Sequence, residues 1–177
     1  NPSTEDILNA ADKINADTIF VLPNNSNIIL ASNQAASIIE DKKLIVIPTK
    51  TIPQGITAMI NFELTRSADE NEKAMLESLS TVKSGQLTYA VRDTSIDGKE
   101  IKKDNYLGLG DNGLASVGTD MDDTLIDMLS EFVDDESELI SVYYGEDIDE
   151  NKAEELVYKI EEKFDGVDVE LQYGGQP

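Results

Sequence analysis

Two short, uninterrupted apolar runs, Thr18-Ile19-Phe20-Val21 and Leu44-Ile45-Val46-Ile47, constrain the fold of this chain more than any other feature. Runs of that length are what parallel sheets bury on both faces, and each is followed by a helix-period pattern. A parallel α/β lobe with helices on both sheet faces is therefore expected. The joining loops are polar: Leu22-Pro23-Asn24-Asn25-Ser26-Asn27 after the first run, Ile47-Pro48-Thr49-Lys50-Thr51-Ile52-Pro53-Gln54-Gly55 after the second. Open α/β sheets hold ligands and partners at the carboxyl ends of their strands, which makes these loops a candidate site. Turn formation and helix N-capping account for the same residue types. Lys50, between two threonines, stands at an anion-binding position, although no Gly-rich loop accompanies it.

The pattern continues on both sides. Asn1-Pro2-Ser3-Thr4-Glu5-Asp6 carries a helix start, with Ser3 and Asp6 at capping-box spacing and Ile7, Leu8, Ala11 and Ile14 facing inward. Ile28, Ile29, Ala35, Ala36, Ile38 and Ile39 form the inward stripe of a second helix, and Gly55, Ile56, Met59 and Ile60 that of a third. Thr65 to Glu72 is polar and unpatterned, which places a boundary there and divides the chain into lobes 1–66 and 67–177. An amphipathic helix near Asp69 to Val82 opens the second lobe, with Met75, Leu76, Leu79 and Val82 on one side. Leu87, Tyr89 and Val91 then alternate with Thr88, Ala90 and Arg92. Turn signals at Ile96-Asp97-Gly98 and Asp111-Asn112-Gly113 predict antiparallel hairpins. Helices near Met121 to Val133 and Asn151 to Phe164, with strands near Leu139 to Tyr144 and Val167 to Leu171, complete an α/β second lobe.

Composition removes whole classes of chemistry. The 177 residues include no Cys and no His, which leaves no thiol nucleophile, imidazole base, Ser-His-Asp triad or Cys/His zinc site in this chain. No apolar run reaches membrane-spanning length and no signal-peptide pattern opens the chain, so a cytoplasmic location without membrane insertion is expected. The formal charge of −22 is uneven: residues 1–66 hold seven acidic and five basic side chains, residues 67–177 hold 29 and nine. Such a field disfavours nucleic acid and anionic lipid and favours a basic protein surface or cations. A surface kept soluble by charge has the same composition.

Literal motif matches do not survive scrutiny. Gly108-Leu109-Gly110-Asp111-Asn112-Gly113 spells G-x-G-x-x-G, yet no helix follows to aim amides at a phosphate and Asp111 opposes one. Asp147-Ile148-Asp149-Glu150-Asn151 begins like a calcium loop, but Lys152 replaces the glycine at position six and Tyr158 the glutamate at position twelve. Asp120, Asp122 and Asp123 stand at a helix start, where the dipole favours them. Arg92, beside Asp93, is able to bind a carboxylate on a ligand, a partner or its own neighbour.

The segments LPNNSNIILA and VIPTKTIPQG, the strand Gln86 to Thr94 and the terminal Tyr173-Gly174-Gly175-Gln176-Pro177 together resemble the C-terminal domain of the ATP-binding subunit of bacterial fatty acid kinase, of the dihydroxyacetone-kinase-like class. The resemblance covers the whole chain. It implies a DegV-like fold, similar to that of the fatty-acid-binding proteins that partner the kinase. It also implies ATP and Mg on another domain of the parent chain, and no cofactor, metal or catalytic residue in this one. The parent's nucleotide-binding domain and the loaded fatty-acid-binding protein are the implied partners, with a homodimeric parent as an option. Ser3, Asn24, Asn25, Ser26, Asn27, Thr49, Lys50, Thr51, Gln54 and Gln176 fall where the resembled binding proteins place ligand loops, with Gln176 replacing a His and Asn replacing Ser. Family members continue beyond both ends with further strands, so a trimmed fragment with an open sheet edge is expected. Two functions follow: a non-catalytic docking and regulatory domain, with Arg92, Asp134, Asp135 and Glu136 as docking candidates, or a domain that binds fatty acid or another small molecule through the ligand-like loops. A free-standing enzyme fits least, because no acid, base and nucleophile set can be assembled.

Overall fold

A computed structural model describes residues 1–96 and 98–176; Asp97 of the first predicted turn and Pro177 of the terminal motif lie outside the described residues. The chain is mixed α/β, and its residues sort into two compact units, Asn1–Ser84 and Gly85–Pro177.

The first unit is organised by strands β1 (Thr18–Val21) and β2 (Lys43–Val46), which pair in parallel with Ile19 opposite Leu44 and Phe20 opposite Ile45. Strand alternation sends these side chains to opposite faces. On one face Ile19 and Leu44 pack with Ile7 and Ala11 of α1 (Thr4–Asp12) and Ala35 of α2 (Ser26–Ile38). On the other, Ile45 and Ile47 pack with Ala58 of α3 (Ile52–Ile60) and Met75 of α4 (Ala68–Ser78). The expected parallel sheet with helices on both faces is present.

The helix ends explain themselves locally. Ser3 and Asp6 close the predicted capping box of α1, while Ser67 and Glu70 make a second one for α4. The expected boundary at 66/67 moves to 84/85. Met75 is 1% exposed in the core of the first unit, so α4 belongs there. The acidic run begins with α4's Asp69, Glu70, Glu72 and Glu77, of which Asp69, Glu70 and Glu77 are exposed, so the change in composition starts inside the first unit and ahead of its end.

The second unit opens with an antiparallel sheet in the order β3-β6-β7 (Gly85–Tyr89, Tyr106–Gly110, Gly113–Gly118) and a separate hairpin of β4 (Thr94–Ile96) and β5 (Lys99–Ile101). The G-x-G-x-x-G segment forms the β6–β7 hairpin: Asp111 and Asn112 make the turn, and Gly113, paired with Gly110 at the start of β7, takes φ +108°, a conformation that glycine adopts without strain. A Cβ at Gly108 would collide with Ser116 Oγ and stand 2.8 Å from Met128 Cβ, so this glycine lets α5 (Met121–Phe132) sit directly on the sheet. Strands β8 (Leu139–Tyr144) and β9 (Asp168–Tyr173) pair in parallel across α6 (Glu150–Lys163). Leu125, Met128, Ile140, Leu156 and Ile160 form the core of this half. Ala90, Ile101 and Leu107 form a smaller cluster with Ile96, Leu114 and Val117.

Candidate functional site

The two polar loops of the first unit lie at the carboxyl ends of β1 and β2 and are joined to each other. Thr49 is fully buried, and its hydroxyl donates to the carbonyl of Pro23 in the other loop. Asn25 is the N-cap of α2: its Oδ1 accepts from the amides of Asn27 and Ile28, both at 3.1 Å. Its Nδ2 donates to Asn24 Oδ1 at 3.1 Å and Asn1 Oδ1 at 3.2 Å. Thr51 caps α3 by accepting from the Gln54 amide at 3.3 Å, and it shares a hydroxyl hydrogen bond of 2.8 Å with Ser84. Gln54 Oε1 accepts from the Lys50 amide at 2.8 Å.

These bonds divide the expected ligand loops by role. Ser3, Asn25, Thr49, Thr51 and Gln54 spend their polar atoms on caps and loop closure, which satisfies helix-end amides. Ser26, Asn27 and Lys50 are exposed, and the side chains of all three lack a hydrogen-bonding or ionic partner among the described residues. Gln176 belongs to the second unit. Its Nε2 donates to the Tyr143 carbonyl at 2.9 Å and its own carbonyl accepts from Glu146 at 2.9 Å, so it fastens the chain end alongside β8.

Of the docking candidates, Arg92 lies beyond β3, which ends at Tyr89, rather than in the longer alternating strand expected. The chain bends after Ala90, whose amide and carbonyl bond to Asn105 and Asp104, and Arg92 is exposed with no ion pair among the described residues. Asp134, Asp135 and Glu136 lie on an exposed loop after α5. Asp134 shapes that loop, accepting from the Glu136 amide at 3.2 Å and the Ser137 hydroxyl at 2.9 Å. Asp135 and Glu136 are exposed.

One constellation was not foreseen. Asp122 is 5% exposed, and its Oδ2 accepts from Lys152 at 2.8 Å and Lys159 at 2.5 Å, both on α6. Burial raises the carboxyl pKa, but the two lysine hydrogen bonds outweigh it and hold the group below its ordinary 3.8. Asp122 in turn raises Lys159. The partner oxygen Oδ1 is buried without a hydrogen bond among the described residues. Asp120 and Asp149 cap α5 and α6, and with Asp147, Tyr106 and Met121 they line an open cleft of about 430 Å³. Sequence treated Asp120, Asp122 and Asp123 alike as dipole partners, whereas one of the three carries a cross-helix ion pair. Only the alignment of α5 with α6 reveals it.

The glycine-rich segment is a hairpin, not a strand-to-helix turn, and no cluster of three or more metal-ligating side chains occurs among the described residues. No helix among those residues is long and apolar enough to cross a membrane.

Comparison with known proteins supplies the remaining constraint. The FakA-like C-terminal family of fatty acid kinase subunits matches residues 1–177. Protein YloV of Bacillus subtilis (strain 168) is 45% identical over all 177 residues. Two uncharacterized Staphylococcus aureus proteins, SAR1202 (strain MRSA252) and SAUSA300_1119 (strain USA300), are 45% and 44% identical over the same span. In each case the match covers 100% of this chain and 32% of the relative, so the chain spans about a third of the length of the curated relatives it matches.

Proposed function

From the premise that the chain belongs to the FakA-like C-terminal family of fatty acid kinase subunits, we propose that it is a non-catalytic docking and regulatory domain. It recruits a fatty-acid-loaded binding protein so that the acyl carboxylate reaches ATP and Mg held on another domain of the same polypeptide. Its contribution is proximity: holding two reactants together converts a bimolecular encounter into an intramolecular one. The observation that carries this reading is the family match across the entire chain.

The local geometry supports the same division of labour. Ser3, Asn25, Thr49, Thr51 and Gln54 are committed to caps and loop closure. The second unit, with 25 acidic and seven basic residues over 85–177, offers the electrostatic surface, and Arg92, Asp135 and Glu136 are exposed on it. Charge complementarity of this kind raises association rates and weakens with salt. The DegV-like resemblance, a cytoplasmic setting and a homodimeric parent belong to this proposal as well.

The test is calorimetric titration with the loaded binding protein at two salt concentrations, for the wild type and for a variant with Asp134, Asp135 and Glu136 changed to Lys. Saturable binding that weakens with salt and with charge reversal is expected. Binding indifferent to both would remove the acidic loop as the docking surface, and no binding at either salt would move recruitment to another part of the protein.

A second reading is favoured by one observation. Phe20, Leu22, Met59, Phe62 and Met75 line an apolar cleft of about 220 Å³ in the unit that also exposes Ser26, Asn27 and Lys50. A lipid-binding domain would use that cleft for apolar chain and a loop for the carboxylate. The cleft is smaller than the roughly 300–1,000 Å³ of ordinary ligand pockets. A thermal upshift with fatty acid, abolished by Met59→Lys, would favour this reading over docking.

A further inference from the structure

The third helix is apolar on the wrong side. Ile52, Ile56, Met59 and Ile60 fall at i, i+4, i+7 and i+8, one stripe of a helix, and they are 56%, 41%, 65% and 75% exposed. Ala58 is the only fully buried residue of α3. Phe62 and Leu64, at 36% and 92% exposure, continue the surface into the following turn. No residue from Thr51 to Phe62 is charged, in a chain of which 28% is. The apolar cleft lined by Phe20, Leu22, Met59, Phe62 and Met75 opens beside the stripe and can receive a side chain from whatever lies on it. Contiguous apolar surface bare of charge marks an interface, whereas apolar residues scattered singly need no explanation.

We propose that this face of α3 is a standing intramolecular interface, covered by a segment of the same polypeptide outside these 177 residues. The relatives provide such a segment, because about two-thirds of their length lies beyond the matched region. A second copy is a poorer occupant of this face: the net −22 of each chain opposes its approach, and a homodimeric parent can pair through the segments outside these 177 residues. An anionic lipid surface is repelled for the same reason. A partner that binds and leaves would uncover an aggregation-prone face at every cycle, while a tethered segment stays at high effective concentration.

The test is thiol labelling of Ile60→Cys, with Tyr158→Cys as control, read on the labelled peptide by mass spectrometry. Positions 60 and 158 are 75% and 68% exposed, and the chain contains no native Cys. In the 177-residue chain both positions label at similar rates. In the full-length protein labelling at position 60 is expected to slow by about tenfold or more, a covered-to-open ratio of ten to one, with labelling at position 158 unchanged. Equal rates at position 60 in both contexts overturn the proposal. So do slowing in the 177-residue chain, rising with its concentration for a second copy or independent of it for a cover within the chain, and slowing in the full-length protein that requires added fatty-acid-binding protein.

Discussion

Removing both lysines from Asp122 should cost more than removing Asp122 itself. Asp122 is 5% exposed while Lys152 and Lys159 are 40% and 53% exposed at their side chains, so the desolvation burden rests on the carboxylate. Asp122→Asn leaves two half-exposed ammonium groups that regain water. Two charge-assisted hydrogen bonds are lost, discounted for that exposure, for a loss of about 2 kcal/mol. Lys152→Met or Lys159→Met alone leaves one cation on Oδ2 and costs less than Asp122→Asn, because each lysine is half-exposed and the remaining one still pairs with the carboxylate. The double change strands a buried carboxylate whose Oδ1 already lacks a partner, and losses of about 3–5 kcal/mol are typical when one side of a buried pair is deleted. The two lysine effects are therefore expected to be more than additive.

Urea unfolding of the four variants, monitored by circular dichroism at pH 7, reads these differences directly. The sign of the pH dependence follows from the depressed carboxyl. Asp122 has a folded pKa below the ordinary 3.8, so its stabilisation is fully present above pH 3.8 and is lost as pH falls through the folded value. The gap between wild type and Asp122→Asn should narrow below that pH and stay constant above it. Additive lysine effects, or an Asp122→Asn loss that persists undiminished in acid, would refute the assignment of Asp122 as the buried anchor.

Other consequences of the fold are open to the same measurement. Asn25→Ala removes the acceptor of two α2 amides and is expected to cost about 1 kcal/mol, whereas Ser26→Ala is expected to leave stability unchanged, a contrast that unfolding free energies will show. Gly108→Ala forces a methyl group against Met128 and is expected to cost about 1–3 kcal/mol, seen as a lower midpoint with an unchanged urea slope. Ile47→Ala, at a fully buried position, is expected to cost about 2–5 kcal/mol, while Ile60→Ala in the 177-residue chain stays within about 0.5 kcal/mol of wild type.

What was legible in the sequence was whatever depends on local pattern. The β1 and β2 runs, the Ser3 capping box, the Asp111-Asn112-Gly113 hairpin and the inward faces of α5 and α6 all rest on spacing and turn chemistry that neighbours in sequence decide. Periodicity also grouped Ile56, Met59 and Ile60 correctly on one face of α3. It assigned that face inward, and the structure turns it outward, because a stripe shows which residues travel together and not which side meets the core. The unit boundary failed for a related reason: the acidic residues of α4 signalled a composition change, while Met75 on its other side tied the helix to the first unit. Asp122 was hidden for a third reason. Its partners are 30 and 37 residues away, and nothing at a helix N-terminus distinguishes a carboxylate aimed at the dipole from one aimed at another helix.

The surface chemistry of the two units separates the proposals experimentally. Residues 1–84 hold 11 acidic and seven basic side chains and expose the uncharged α3 stripe, while residues 85–177 hold 25 and seven. Salt screens exposed charge within a Debye length of about 8 Å at physiological strength, but it leaves apolar burial intact, and sulfate strengthens it. Recruitment through the acidic loop must therefore weaken as salt rises. Protection of position 60 must hold or increase in sulfate over the same range. If both effects moved together, one surface would serve both contacts and the division between a docking face and a covered face would fail; independent movement would mean that covering α3 and recruiting the partner are separate properties of the domain.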